Sequence, residues 1–236
     1  MAPRFEDMAR GYRALWAKCA VTPERRDAVD RTAKTVIANR ASYAAAARAT
    51  SVPWWWIGVV HYRESSFSWA RSLAQGDPWN KRSVHVPAGR GPFTSWSEAA
   101  IDALTLHALD RVADWGDIAR VLYELERWNG WGYAGKGVNS PYLWAATNLQ
   151  QSGKYVADHV WDPRAVDTQL GCAAILLRLA VLDQSVARDL AAAPKSTSGP
   201  ARAPAPSPAP TPRPPAQPGR SLTHWLRDFI TGIFKP

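Results

Sequence analysis

Residues 54–67 read Trp54-Trp55-Trp56-Ile57-Gly58-Val59-Val60-His61-Tyr62-Arg63-Glu64-Ser65-Ser66-Phe67. Val52-Pro53 breaks the segment before them, and Pro53 suits the first turn of a new helix. The stretch predicts a buried helix over 54–67, with Trp55, Ile57, Val59 and Val60 crowding its apolar faces. Upstream, residues 24–49 also predict a helix. Val29, Ala33, Val36, Ile37 and the alanines at 44–47 recur at helical spacing, with charges between them. Downstream, residues 70–92 change character. Gly76, Asp77-Pro78, Pro87, Gly89 and Gly91-Pro92 punctuate short segments such as Ser83-Val84-His85-Val86, which is hairpin or loop material and the one plausible sheet. Helices resume where Thr94 or Ser95 can cap and Glu98 stands in the first turn, with Ala100, Ile101, Leu104 and Ala108 on one face. Another helix is predicted over 115–128, stopped by Asn129-Gly130 and followed by a glycine-rich loop through Gly137. Pro141 begins a short helix, and 164–190 predicts a long apolar one centred on residues 173–177. No internal repeat is present. The fold class is mainly α with one small β-hairpin.

The chain has 236 residues, enough for one or two domains, and 46% of them are hydrophobic, enough for a substantial core. Ten of the 26 residues from 194 to 219 are proline, so that segment predicts an extended, semi-rigid linker. The domain plan is therefore a body at 1–193, a linker at 194–219 and a tail at 220–236. Six Lys and Arg fall in 194–236 against the single acid Asp228, so that part carries +5 of the net +9 and the body carries +4. On a helix starting near Ser221, the side chains of Leu222, Trp225, Leu226, Phe229, Ile230 and Ile233 line one face. Arg227, Asp228, Thr231 and Lys235 take the other. A cationic amphipathic helix of this kind suits a bacterial membrane or lipopolysaccharide, or else docks on the body or a partner helix. The basic charge of the body is scattered, and no nucleic-acid-binding motif is legible, so nucleic acid is not an expected partner. No apolar run is long enough to cross a membrane. The first residues carry Glu6 and Asp7 and lack the apolar core of a secretory signal, which predicts synthesis in a bacterial host cytoplasm without a signal peptide. Cys19 and Cys172 exclude a disulfide scaffold and a four-cysteine zinc site, leaving two free thiols or one bridge.

Glu64 closes a helix otherwise made of tryptophans and aliphatics. A carboxyl in apolar surroundings resists ionising, and a raised pKa suits a general acid that protonates a leaving oxygen. Glycosidic cleavage needs such a donor. The bland alternative is a solvated Glu, or one paired with Arg63 or Arg71. Asp77 follows in a Gly-Asp-Pro turn and Ser83 in the predicted hairpin. A helix end bearing an acid, then a hairpin presenting a carboxylate and a hydroxyl, can surround a sugar ring and a water. Asp77 would activate the water or stabilise positive charge, and Ser83 would orient the water. Otherwise Asp77 is a turn residue bonding its own backbone, and Ser83 an ordinary strand hydroxyl.

The Glu64-Ser65-Ser66-Phe67 element resembles the catalytic segment of the lysozyme superfamily, which includes goose-type lysozymes and lytic transglycosylases. The six-residue step from Asp77 to Ser83 resembles the Glu/Asp/Thr arrangement of phage-type lysozymes, with Ser83 in place of threonine and a longer gap from Glu64 to Asp77. Over about residues 5–180 the chain is similar to a group of phage and bacterial lysozyme-like proteins. That similarity is carried by Gln75-Gly76-Asp77-Pro78, Val84-His85-Val86-Pro87-Ala88-Gly89-Arg90, Tyr123-Glu124-Leu125-Glu126-Arg127-Trp128-Asn129-Gly130-Trp131-Gly132-Tyr133 and Asn139-Ser140-Pro141-Tyr142-Leu143-Trp144. The resemblance implies a lysozyme-like fold and cleavage of peptidoglycan glycan strands, as in a bacteriophage endolysin acting on the wall from the periplasm. The bond would be the β-1,4 link between N-acetylmuramic acid and N-acetylglucosamine, cut by a muramidase with Glu64 as acid. A lytic transglycosylase giving 1,6-anhydro products, or a wall-binding protein without turnover, are the alternatives.

Thirteen tryptophans stand in the chain, and indole rings stack on the C–H faces of sugars. Trp16, Trp54, Trp56, Trp96 and Trp115 are read as core. Trp131, Tyr133, Asn139 and Tyr142 stand among glycines that let backbone approach a ligand, and are read as substrate-binding, with Gln150 and Tyr155 as further candidates. Glu124 and Glu126 lie two apart, so one helix face cannot present both; one would support the cleft from behind. No histidine has ligand spacing, and no metal or cofactor is expected. A monomer is expected.

Overall fold

The computed structural model describes residues 2–191, apart from 75, 86 and 158. The proposed linker at 194–219 and tail helix at 220–236 lie outside the described residues. Helix α4 (Trp54–Ser65) runs through the middle of the core. Trp55, Trp56, Ile57, Val59, Val60 and His61 on it are fully buried. Each large apolar side chain removed from water there contributes about 1.5–3 kcal/mol. Gly58 lets the neighbours come close, because a Cβ at that position would lie 2.6 Å from Val36 and 3.0 Å from Tyr43.

Those neighbours belong to α2 (Arg26–Ala38) and α3 (Arg40–Thr50). The single helix expected over 24–49 is thus two, broken at Asn39. The break re-aims α3 so that Tyr43 and Ala46 are buried against α4, a packing gain that periodicity along one axis does not reveal. The N-terminal α1 (Phe5–Ala17), a helix not predicted from sequence, packs on α6 (Ile118–Asn129). Helix α5 (Trp96–Leu106) starts at one of the two expected caps, Ser95. The Ser95 hydroxyl accepts from Glu98 N at 3.1 Å, and Glu98 Oε2 accepts from Thr94 N at 2.7 Å. Ala108 lies beyond its end, at φ 54°. Asp117 caps α6 through Ala119 N, and Gly130, at φ 93°, ends it. The short α7 (Pro141–Trp144) begins at Pro141 as expected.

Two further expectations are corrected. Residues 83–85, the described part of the segment expected to form the hairpin, make no strand and are a loop. The sheet lies instead at β1 (Lys154–Ala157) and β2 (Val160–Asp162), an antiparallel pair with Tyr155 opposite Trp161. Two aromatic rings, Tyr155 and Trp161, face one another across this pair, whereas 70–92 is interrupted by too many prolines and glycines to sustain a ladder. The long helix expected over 164–190 is a loop through Gly171, then α8 (Cys172–Leu182) and α9 (Gln184–Ala191). Asp183 separates them, because its carboxylate accepts from Ser185 N at 2.8 Å and starts a new helix. Trp56 and Trp96 are core; Trp16, Trp54 and Trp115 are partly buried against it. Cys19 and Cys172 are both free thiols.

Candidate active site

Glu64 stands in the last turn of α4. The chain then turns sharply through Ser66 and Phe67, both in the left-handed region at φ 50° and 66°, and Ser66 N and Phe67 N close the helix on the carbonyls of Tyr62 and His61. Phe67 is therefore just outside the helix predicted to include it. The turn leaves the Glu64 side chain half-buried. Its Oε1 accepts two hydrogen bonds from neutral donors, the Tyr142 hydroxyl at 2.8 Å and Trp128 Nε1 at 3.1 Å. Its Oε2 has no hydrogen-bond partner among the described residues and is not sealed from water. Burial pushes the Glu64 carboxyl up from 4.5 to about 7, against the opposing pull of the Tyr142 hydroxyl, the Arg63 charge and the Trp128 indole. A carboxyl near 7 can both give and take a proton in the neutral range.

Neither candidate arginine pairs with it. Arg71 donates to the Gly76 carbonyl at 2.8 Å. Arg63 donates to Asp167 Oδ2 at 3.3 Å and to the Leu170 carbonyl at 3.1 Å, with its guanidinium 4.6 Å from the centre of the Tyr142 ring. The loop before α8 also grips the end of α4. Gln169 Nε2 donates to the Arg63 carbonyl at 2.9 Å, and Leu170 N donates to the Tyr62 hydroxyl at 3.2 Å.

His61, one turn before Glu64, is buried, and burial lowers its pKa to about 4, so it is neutral. The Ser68 carbonyl, 3.1 Å from Nε2, can only accept, which places the proton on Nε2 and makes Nδ1 the acceptor from the Tyr43 hydroxyl. His61 is thus a fastening for the turn after the helix.

Asp77 and Ser83 come together in the loop that follows, but their bonds are to the loop itself. Asp77 is 7% exposed. Its Oδ2 accepts from Val84 N at 2.9 Å and His85 N at 3.0 Å, and its Oδ1 lies 2.6 Å from His85 Nδ1. The Ser83 hydroxyl donates to the Pro87 carbonyl at 3.0 Å and accepts from Arg90 N at 2.9 Å. None of these bonds reaches Glu64.

The proposed substrate-binding residues separate into three groups. Tyr142, 4% exposed, is a partner of the acid itself. Tyr133 joins Tyr155 and Trp161 of the hairpin in an aromatic cluster, with ring centres 5.1–5.9 Å apart and Lys136 5.3 Å from the Trp161 ring. Tyr155 and Trp161 are half-buried, so part of each ring meets water. Gly153, at φ 109°, is required here, since a Cβ would sit 2.6 Å from the Trp161 ring. Trp131 packs instead on Tyr123 at 5.0 Å, and the Asn139 side chain closes its own loop on the Leu149 carbonyl. Gln150 is likewise spent on Ala146 N and the Asp167 carbonyl. Glu124 pairs with Arg127 at 2.6 Å and Arg120 at 3.4 Å. Glu126 accepts from the Tyr12 hydroxyl at 2.7 Å and fastens α1 to α6. Trp128, Trp161, Lys154 and Asp167 were not singled out from sequence, because nothing local marks a residue whose partner is many turns away. Among the described residues no group of three or more His, Cys, Asp or Glu is placed to hold a metal ion. No helix among them is long and apolar enough to cross a membrane. Compared with protein-family models, curated proteins and solved structures, the chain matches none of them.

Proposed function

We propose that this chain is a peptidoglycan-cleaving glycosidase of the lysozyme type, with Glu64 as its general acid. The observation that carries this is the Glu64 carboxyl: one oxygen fixed by two uncharged donors, the other unbonded and reached by water, and a proton affinity near neutrality. Uncharged donors orient the group without ionising it as an arginine would. The substrate is the glycan strand, cut between N-acetylmuramic acid and N-acetylglucosamine. The resemblance of its long ordered motifs to those of lysozyme-like proteins supports that choice. So do the half-exposed rings of Tyr155 and Trp161, backed by the buried Tyr133, since such rings suit the C–H faces of sugars.

In hydrolysis Glu64 protonates the leaving oxygen while a water attacks the sugar carbon, and Asp77 and Ser83 contribute through the loop that they order. A second outcome is favoured by the full engagement of Asp77: Glu64 acts first as acid and then as base, and the C6 hydroxyl of the muramic acid attacks, giving a 1,6-anhydro product. Mass spectrometry of digested wall separates the two. Glu64→Gln tests the assignment common to both: the protein should bind wall and release no glycan fragments, and undiminished release would remove Glu64 from the chemistry.

The basic segment 194–236 would bring the enzyme to the bacterial membrane or lipopolysaccharide. Its deletion should reduce lysis of intact cells while sparing digestion of purified wall. Equal loss on both substrates, or none on either, would count against this role.

A further inference from the structure

Arg63 is the cation that bears on Glu64, and it is nearly sealed from water, its side chain 7% exposed. A guanidinium so placed would gain by pairing with the neighbouring carboxyl, and such a pair would ionise the acid. Its hydrogen bonds go elsewhere, to Asp167 Oδ2 at 3.3 Å and the Leu170 carbonyl at 3.1 Å. Asp167 is held independently: Lys154 Nζ lies 2.9 Å from its Oδ1 and Gln169 N 3.2 Å. Burial works against the charge of Asp167, yet Arg63 and Lys154 outweigh it and keep this carboxyl below its ordinary range.

Among the described residues, the other groups around Glu64 bring no competing charge. From α6 comes the Trp128 indole, with His107 4.4 Å behind it and kept neutral because burial lowers its pKa to about 4. Elsewhere on α6, Glu124 pairs with Arg120 and Arg127, and Glu126 faces Tyr12. From α7 comes Tyr142, and from the start of α8 Cys172; burial raises both well above neutrality, so both keep their protons. Further along α8, Arg178 pairs with Asp30.

We propose that Asp167 is a positioning residue for the acid: it holds the Arg63 guanidinium against Leu170 and the Tyr142 ring, denies Glu64 an ion pair, and leaves Oε1 to two neutral donors. Its place in catalysis rests on Glu64 being the proton donor, but its effect is read on Glu64 itself. In Asp167→Asn the guanidinium loses its anion and cannot retreat to water, so it turns to Glu64. Lys154, more exposed at 19%, can swing outward instead.

The test is a ¹³C NMR titration of protein labelled at its six glutamates, with the Glu64 signal assigned by its loss in Glu64→Gln. The midpoint should fall by about one to three pH units in Asp167→Asn, as expected for a carboxyl gaining a cation at contact. It should rise in Arg63→Met, and return to the parent value or above in the double variant. An unchanged or raised midpoint in Asp167→Asn, or a double variant as low as that single one, overturns the proposal. Should Asp167→Asn fail to fold, Arg63→Met decides: a rise supports the proposal, and no change or a fall sinks it. In cleavage assays the alkaline limb should move with the midpoint, whereas a merely structural Asp167 would lower activity at every pH without moving the limb. Because the titration needs no substrate, it stands apart from the fate of the glycosidase assignment, which Glu64→Gln decides by activity.

Discussion

Glu64 and Asp77 lie thirteen residues apart, and the protein surrounds them with opposite chemistry. Asp77 is wrapped by two backbone N–H donors and the His85 ring, so both oxygens are spent on ordering the chain at Val84 and His85. Glu64 receives two side-chain donors on one oxygen only, inside an apolar wall that raises its proton affinity. A carboxyl whose oxygens are filled by the donors of its own loop is a structural brace. One that is half satisfied and desolvated is a proton reservoir. The number and charge of the donors, more than the residue type, separates the two roles.

The largest expected effect is on chemistry. Glu64→Gln should slow glycan release by about 10²–10⁴-fold, the usual worth of a positioned general acid. Asp77→Asn, measured in the same assay, should cost far less, because its effect passes through the loop; equal losses would erase the contrast between the two acids. Next comes folding. Asp77→Ala strands two backbone donors and the His85 ring, and should destabilise by about 2–4 kcal/mol in urea melts. A change under about 0.5 kcal/mol would show that the loop does not depend on it.

Glu64→Gln should have the reverse effect on stability. The folded state holds the Glu64 proton up to about pH 7, whereas the unfolded chain releases it near its ordinary 4.5. Stability from this group is therefore present below pH 4.5 and is lost as pH rises towards 7. Glutamine has no proton to lose, so at pH 8 the variant should be more stable than the parent by on the order of 2 kcal/mol, and the gap should close at pH 4. Thermal melts at the two pH values check the sign. The smallest effect belongs to Tyr142→Phe. Losing a donor to the ionised carboxylate should raise the Glu64 midpoint by about half to one pH unit and carry the alkaline limb upward. A fall would mean that the hydroxyl does not favour the charged form.

The segments legible from sequence are those with local signals. The box of Ser95 and Glu98 starts α5, Asn129-Gly130 ends α6, Pro141 begins α7, and the tryptophan-rich run is the buried α4 with the acid in its last turn. Where the signal was non-local, expectation and structure part. Asn39 and Asp183 break apolar periodic runs because the helices must change direction to pack, and a periodicity count is blind to direction. The strand pair formed at β1 and β2, where Tyr155 and Trp161 face one another, while residues 83–85, set among the glycines and prolines of 76–92, remained loop. The residues named for sugar binding were sorted by folding: Tyr133 into a buried place behind Tyr155 and Trp161, Tyr142 onto the acid, Trp131 into packing and Asn139 into loop closure.

By itself the sequence determined that an acid would stand at the end of an apolar helix, since helix, break and composition are all written within a few residues. Only the tertiary structure decided what kind of acid it is. Its donors come from 64 and 78 residues further on, and the anion that occupies the neighbouring Arg63 lies 104 residues beyond that arginine. Proton affinity depends on desolvation and on charges within a few ångströms, and those distances exist only after the chain has folded.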